Sequence, residues 1–117
     1  DGIRDSVASR GLGDVYKRQI NNISQRLFRE LKQNNEYVII DVRETDELEK
    51  GKIDGSKHMS LGLIIRNVKQ GKIDELKDQK ICTYCASGYR GNIASDELNK
   101  AGFSAVNLEG GFMAWSQ

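Results

Sequence analysis

The sequence predicts an α/β fold in which a parallel β-sheet is flanked by helices on both faces. Residues 37–42 form a nearly continuous apolar run with β-branched side chains, which is typical of a strand buried on both faces of a parallel sheet. Along the rest of the chain, predicted strands alternate with segments whose apolar residues recur at helical spacing. Such alternation is typical of parallel strands joined by helices.

The first predicted elements are a short edge strand at residues 20–23 and a helix that follows it. Ser24 stands where an N-cap is expected, because its hydroxyl can accept from a free backbone N–H of the first turn. Apolar residues then recur at helical spacing as far as about Lys32, before the strand at residues 37–42 begins.

A helix of one or two turns is predicted after this strand. Thr45 is its expected N-cap, and Gly51 is expected to end it. Asp46 and Glu47 lie in its first turn, where carboxylates interact favourably with the helix dipole.

The second half of the chain continues the alternation to the C-terminus. A strand is expected within residues 53–59, and helical segments are expected at residues 61–68 and 73–76. The order then runs strand, helix, strand and helical turn, at residues 80–84, 90–101, 105–108 and 112–115. Gly102 is expected to be the C′ residue of the helix at 90–101.

Composition and charge limit the classes of function that the chain can have. Its 117 residues suffice for one domain, and its formal net charge of +1 gives no electrostatic case for nucleic acid or a membrane surface as a partner. No apolar run is long enough to span a bilayer. Two cysteines cannot form a disulfide framework, so a reducing compartment, the cytoplasm, is expected. The sequence does not indicate an oligomeric state.

Residues 1–19 are expected to be a non-native, disordered leader, and the domain is expected to occupy residues 20–117. Residues 9–19 read Ser-Arg-Gly-Leu-Gly-Asp-Val-Tyr-Lys-Arg-Gln, which resembles a translation of the adapter tail used in transposase-based sequencing libraries. A genuine polar leader is the alternative. A segment of foreign origin carries no information about the fold, so the fold prediction rests on residues 20–117.

The residues around Cys85 carry the chemistry that the sequence indicates. Residues 81–91 read as a strand that stops at Cys85, a short loop containing Gly88, and a helix that begins near Gly91. A cysteine at such a junction lies where backbone N–H groups converge and where the helix dipole is positive, and both effects favour the thiolate. Cys85 is therefore the candidate nucleophile.

Cys82 and Cys85 together spell C-x-x-C, so a redox dithiol and a zinc site are alternatives. Cys82 lies within the predicted strand, where three extended steps place the two Cα atoms roughly 10 Å apart. A disulfide needs less than about 7 Å, so Cys82 is expected to be a small buried hydrophobe. A structural zinc site takes about four ligands, and two cysteines with His58 fall short, so no metal is expected.

Four stretches, in order, resemble the sequence elements of rhodanese-like domains. C-A-S-G-Y-R at residues 85–90 resembles the family's active-site loop, C-x-x-G-x-R, and D-V-R-E at residues 41–44 resembles the element after its central strand. G-K-I-D-G-S at residues 51–56 resembles its turn, and N-L-E-G-G followed by A-W within residues 107–115 resembles its C-terminal signature. The resemblance extends over residues 20–115 and implies a rhodanese-like fold.

The resemblance implies a sulfurtransferase that carries a sulfane sulfur as a persulfide on Cys85. The donor would be thiosulfate or a persulfide, and the acceptor a thiol, cyanide or a protein; no cofactor is implied. Backbone N–H groups of the loop could surround the terminal sulfur, and Gly88 best tolerates the dihedral angles that this requires. Arg90 adds a positive charge suited to an anionic donor. The implied loop residues are Ala86, Ser87, Gly88, Tyr89 and Arg90.

Asp41 and Arg43 are implied to support the architecture around this loop rather than to take part in the chemistry. They flank the end of a strand, where α/β proteins place functional groups. The sequence departs from the family's pattern at Lys52 and Asp54, where His and Pro are usual, and at Gly91, where serine is frequent. None of these departures removes the nucleophile.

The spacing between Cys85 and Arg90 favours sulfur transfer over phosphate chemistry. Four residues separate the two, whereas the similar phosphatase loops have five and enclose a phosphate, which is larger than one sulfur atom. No acidic residue lies in the loop to serve as a general acid.

Two further functions stay open. The run from Tyr89 to Ala94 resembles rhodanese domains at the C-terminus of flavin-dependent CoA-disulfide reductases, so the chain could be a sulfur-relay or regulatory module of a longer protein. A non-catalytic interaction domain is the other alternative, and the presence of Cys85, Gly88 and Arg90 counts against it. The sequence does not indicate which donor or acceptor is used.

Overall fold

Residues 22–117 are described by the computed structural model, and they contain five parallel strands in one sheet. The strands are β1 (Asn22–Ile23), β2 (Tyr37–Asp41), β3 (Lys57–His58), β4 (Lys80–Tyr84) and β5 (Ser104–Leu108). Their order across the sheet is β1-β5-β4-β2-β3, and every pairing is parallel. The predicted parallel sheet is confirmed.

Helices join these strands throughout the described residues. The α-helices are α1 (Gln25–Gln33), α2 (Leu61–Lys69), α3 (Tyr89–Lys100) and α4 (Gly111–Trp115), and two 3₁₀ helices span Thr45–Lys50 and Asp74–Asp78. Ser24 caps α1 as predicted, because its Oγ accepts from the Leu27 N–H at 3.1 Å. Gly102, with φ of +97°, follows α3.

Helices pack on both faces of the sheet, as predicted. One face carries α2 and α3 over an apolar cluster that includes Ile40, Ile64 and Leu98. The other face carries α1 and α4 over a second cluster, which includes Phe28 and Ile39. Side chains alternate along a strand, so Ile39 and Ile40 point to opposite faces and β2 is buried on both.

The structure corrects one local prediction, the N-cap of the short helix after β2. Thr45 is not an N-cap: Glu44 takes that position, and Thr45 begins a 3₁₀ helix. The physical reason is that Glu47 Oε1 accepts from the Glu44 N–H at 2.9 Å, which satisfies the backbone one residue earlier than predicted. The helical segment predicted at residues 73–76 is confirmed as the 3₁₀ helix Asp74–Asp78.

Only part of the N-terminal prediction falls within the described residues. The leader expected at residues 1–19 lies outside the described residues, as do the first two positions of the strand expected at residues 20–23. The remaining two positions form β1, which pairs with β5. No helix within residues 22–117 is long and apolar enough to cross a membrane.

Candidate active site

The carboxyl ends of β2 and β4 lie side by side, because these strands pair in parallel register. Asp41, the last residue of β2, is the register partner of Tyr84, the last residue of β4. Cys85 follows Tyr84 directly, so the candidate nucleophile leaves the sheet at the same edge as Asp41 and Arg43. Functional groups of open α/β sheets gather at this edge.

Residues 85–90, called the Cys85 loop below, fold back over the cysteine. Gly88 has φ of +115°, the left-handed conformation that glycine tolerates best. Its N–H donates to Cys85 Sγ at 3.0 Å. Cys85 is only 1% exposed. Cys85 is therefore buried, and its sulfur accepts a hydrogen bond from the backbone of its own loop.

Helix α4 fixes the direction of the first two peptide groups of the Cys85 loop. The Phe112 N–H donates to the Cys85 carbonyl oxygen at 2.8 Å, and the Met113 N–H donates to the Ala86 carbonyl oxygen at 2.9 Å. In a trans peptide the carbonyl and the following N–H point in opposite directions. The N–H groups of Ala86 and Ser87 therefore point away from α4.

The close approach of α4 to the loop requires glycine at position 111. Gly111 has φ of +60°, and a Cβ there would overlap the Cys85 carbonyl oxygen and lie 2.7 Å from the Ala86 carbonyl oxygen. Gly111→Ala should therefore lower the free energy of unfolding by roughly 2–4 kcal/mol, as measured by urea denaturation followed by circular dichroism.

Gly55→Ala is the matched control for Gly111→Ala. Gly55 also has a positive φ, +85°, but a Cβ there meets nothing within 4 Å. Backbone strain alone should cost about 1–2 kcal/mol. Equal losses for the two variants would contradict a steric role for Gly111 against the loop.

Asp41 and Arg43 form an ion pair that is almost closed to solvent, with side chains 1% and 3% exposed. Arg43 Nε donates to Asp41 Oδ1 at 2.9 Å, and Nη2 donates to Oδ2 at 2.7 Å. Burial alone would raise the pKa of Asp41, but the hydrogen bonds from Arg43 and Tyr84 outweigh it and lower the pKa. Arg43 Nη2 also donates to the Gly51 carbonyl oxygen at 2.8 Å, which ties the end of β2 to the following turn.

Tyr84 extends this network across the base of the loop. Its hydroxyl donates to Asp41 Oδ2 at 2.8 Å and accepts from the Ile53 N–H at 3.1 Å. Burial, together with the Asp41 carboxylate, raises the pKa of Tyr84 to about 12, so the phenol stays protonated and keeps donating. His58 joins the same network, because its Nε2 donates to the Arg43 carbonyl oxygen at 2.7 Å.

Arg90 is held in a two-bond ion pair by Glu47. Its Nη1 and Nη2 donate to Oε1 and Oε2 of Glu47 at 2.6 and 2.8 Å. The hydrogen bonds from Arg90 lower the pKa of Glu47 to about 2, although partial burial opposes the shift. The same bonds raise the pKa of Arg90. The carboxylate of Glu47 thus offsets the positive charge of Arg90, which was expected to attract an anionic donor.

The Glu47–Arg90 pair should stabilise the fold at neutral pH and lose that effect in acid. The pKa of Glu47 falls from an ordinary 4.5 to about 2, so its contribution is present above pH 4.5 and is lost as the pH drops toward 2. The two side chains are 31% and 30% exposed, and solvent screening limits the contribution to about 1 kcal/mol.

Urea unfolding of the wild type and Glu47→Gln, at about pH 7 and about pH 2.5, measures this contribution. The stability difference between the two proteins should shrink in acid. A difference that is the same at both pH values would show that Glu47 stabilises the fold by contacts other than its charge.

A cavity of about 500 Å³ opens beside the Cys85 loop, a volume within the range of small-molecule sites. Its lining consists of Arg43, Asp46, Glu47, Lys50, Ala86, Phe112, Met113 and Ser116. Ala86 links the cavity to the loop. Met113 and Tyr89, 60% and 75% exposed, add apolar surface near the loop.

The sequence was compared with models of known protein families, and one family matches most of the chain. The family described as the rhodanese-like domain matches residues 24–117. The chain belongs to the rhodanese-like domain family. The predicted family and its fold are therefore confirmed.

Relatives of this rhodanese-like domain carry sulfurtransferase names. It is 36% identical over 98 residues to the "Putative sulfurtransferase YtwF" of Bacillus subtilis (strain 168), with 83% of this chain and 91% of that protein covered. A "Sulfurtransferase" of Allochromatium vinosum is 30% identical over 100 residues, with 84% and 90% covered. The crystal structure of reduced CoADR-RHD of Bacillus anthracis matches with a TM-score of 0.70 at 28% identity, and covers 82% of this chain and 16% of that one.

Gly91, one of the positions at which the sequence departs from the pattern it resembles, has a structural explanation in this chain. A Cβ at Gly91 would overlap Asn107 Oδ1 and lie 3.3 Å from the Tyr84 Cα. Asn107 is 2% exposed, and its Nδ2 donates to the Gly88 carbonyl oxygen at 3.3 Å. The Asn107 side chain thus occupies the space that a larger residue at position 91 would need.

The second cysteine of this rhodanese-like domain is buried within β4. Cys82 is 0% exposed, and burial raises its pKa to about 12, so its thiol stays protonated. Both cysteines are free. No cluster of three or more potential metal ligands occurs within residues 22–117.

Sequence reasoning missed three contributors to this region: Glu47, Tyr84 and Gly111. Glu47 lies 43 positions from Arg90, and no local sequence pattern predicts an ion pair between residues so far apart in the chain. The sequence around Tyr84 indicates only that it is the last residue of a strand. Gly111 carried a signal, because two consecutive glycines before a helical turn indicate a close backbone approach.

Proposed function

We propose that this rhodanese-like domain is a sulfurtransferase that carries a sulfane sulfur as a persulfide on Cys85. The observation that supports it best is the hydrogen bond from the Gly88 N–H to Cys85 Sγ, at 3.0 Å. A backbone donor at this place stabilises negative charge on sulfur without a proton-transfer partner. The sulfurtransferase names of the relatives support the same reaction class.

The reaction consists of two displacements at sulfur. The Cys85 thiolate attacks the sulfane sulfur of a donor such as thiosulfate; a new S–S bond forms, the donor's S–S bond breaks, and sulfite leaves with the electron pair. A nucleophilic acceptor, a thiolate or cyanide, then attacks the terminal sulfur and releases the Cys85 thiolate. No external oxidant or reductant is needed in either step.

The Cys85 loop would stabilise the persulfide anion through its backbone. Helix α4 turns the Ala86 and Ser87 N–H groups away from itself, and Gly88 already donates to the sulfur. Tyr89 and Arg90 complete the loop, with Arg90 anchored by Glu47.

Asp41 and Arg43 act as supports in this proposal. Their ion pair and the Tyr84 hydroxyl hold the ends of β2 and β4 together beneath the loop. Neither side chain is available for chemistry, because each is already engaged in hydrogen bonds and is 3% exposed or less.

Single-turnover transfer tests the proposal. The protein is incubated with a sulfane donor, freed of it by desalting, and then given cyanide. About one equivalent of thiocyanate per chain is expected. A yield near zero with thiosulfate, a thiosulfonate and a persulfide donor would overturn the proposal and favour a non-catalytic interaction domain.

A second candidate is a sulfur-relay or regulatory module of a longer flavin-dependent disulfide reductase. The likeness to CoADR-RHD, of which this chain covers 16%, favours it. Genomic sequence upstream that encodes a Gly-rich dinucleotide-binding motif in frame would support this candidate. An in-frame start codon just before Ile20 would contradict it and support a separate cytoplasmic domain at residues 20–117.

A further inference from the structure

The positive charges beside the Cys85 loop are all but neutralised by carboxylates. Arg90, at the end of the loop, makes two bonds to Glu47, and Arg43 is paired with Asp41. Lys50 is the remaining cation on the cavity wall, and it is exposed. A dianionic ligand entering this cavity would find no buried, unpaired cation among the described residues.

Glu47 is itself fixed in place, so the ion pair is built into the fold. Its Oε1 accepts from the Glu44 N–H at 2.9 Å, at the start of the first 3₁₀ helix, and also from Arg90 Nη1. The Glu47 N–H donates to the Glu44 carbonyl oxygen at 3.0 Å. Because the pKa of Glu47 is about 2, the carboxylate keeps its charge at any physiological pH.

We propose that Glu47 determines the charge of the sulfur donor: by pairing with Arg90, it favours donors with one negative charge or none over dianionic donors. This inference rests on the sulfurtransferase function proposed above and assigns its donor class. Thiosulfate carries two negative charges and would meet the Cys85 thiolate with no free guanidinium to offset the repulsion. Thiosulfonates and neutral persulfides carry less charge, and the apolar wall of Phe112, Met113 and Ala86 suits their carbon substituents.

Glu47 is thus a positioning and specificity residue rather than a catalytic one. It touches Arg90 and not the sulfur, and it acts by cancelling charge. A residue with a purely structural role would change the rates with all donors alike. A residue that sets the charge preference changes the ratio between donors of different charge.

Thiosulfate and methanethiosulfonate form a matched pair of donors for the test. Both present a terminal sulfane sulfur on a sulfonyl group, and they carry two and one negative charges. The readout is the ratio of kcat/KM for thiosulfate to kcat/KM for methanethiosulfonate, measured with cyanide as acceptor for wild type, Glu47→Gln and Glu49→Gln.

Glu47→Gln removes the carboxylate charge but keeps an amide oxygen that can accept from Arg90 and from the Glu44 N–H. It should raise the ratio about threefold or more, because the freed guanidinium attracts the dianion more strongly. The gain should shrink in high salt, since the freed charge is partly exposed. Glu49→Gln removes an equal charge from an exposed position of the same 3₁₀ helix and should leave the ratio near that of the wild type.

The possible outcomes bear separately on the specificity role of Glu47 and on the proposed sulfurtransferase function. An unchanged or lower ratio for Glu47→Gln, or an equal rise for Glu49→Gln, would overturn the specificity role while leaving sulfur transfer intact. Absence of sulfur transfer by the wild type from thiosulfate, methanethiosulfonate and a persulfide donor alike would instead contradict the proposed sulfurtransferase function. The two failures are therefore distinguishable.

Discussion

Replacing Cys85 with serine should abolish sulfur transfer, with turnover lowered at least about ten-thousandfold. A serine hydroxyl is not ionised near neutral pH and cannot hold a sulfane sulfur as a persulfide. The change is nearly isosteric at a site that is 1% exposed, so the fold should persist, as checked by circular dichroism. Thiocyanate formation with cyanide as acceptor measures the loss.

Cys82→Ala is the control for this variant. Cys82 is fully buried within β4 and stays protonated, so it should act only as packing. Its loss should cost about 1 kcal/mol of stability and change turnover less than about twofold. Residual activity in Cys85→Ser together with a large loss in Cys82→Ala would reverse the assignment of the nucleophile.

Asp41→Asn should lower the free energy of unfolding by about 3–5 kcal/mol near neutral pH. The change leaves the guanidinium of Arg43, 3% exposed, without its counter-charge, and it weakens the acceptor of the Tyr84 hydroxyl. The pKa of Asp41 is lowered from 3.8, so the wild type keeps this stability above that value and loses it only in stronger acid. Urea denaturation at about pH 7 measures the difference.

Glu97→Gln provides the comparison for Asp41→Asn. Glu97 pairs with Lys100 at 3.9 Å on the surface, with side chains 40% and 76% exposed. Its loss should cost less than about 0.5 kcal/mol. Comparable losses for the two variants would contradict the view that the Asp41–Arg43 pair supports the site.

Most strands and helices could be predicted because they depend on residues that lie close together in the sequence. The apolar run that became β2 and the serine that caps α1 are visible within a few residues of sequence. The position of Cys85 after β4 follows from the same pattern, and the positive φ at Gly88 is a consequence of glycine's freedom.

The contacts that shape the candidate site could not be predicted, because they join distant segments. Arg90 and Glu47 meet only after β2 and β4 pair, and nothing near Glu47 in the sequence distinguishes it from a first-turn carboxylate. The hydrogen bonds from α4 to the Cys85 loop depend on the placement of the chain's last helix. The N-cap at Glu44 rather than Thr45 has a local cause instead, because the Glu47 carboxylate accepts from the Glu44 N–H.

The mass of the intact protein after exposure to a sulfane donor tests the central claim most directly. The wild type should gain one sulfur atom, about 32 Da, and peptide mapping should locate it on Cys85. Cyanide should remove it, and Cys85→Ser should not acquire it. A protein whose mass is unchanged by thiosulfate, methanethiosulfonate and a persulfide donor, or whose added sulfur lies on Cys82, would contradict a persulfide carrier at Cys85.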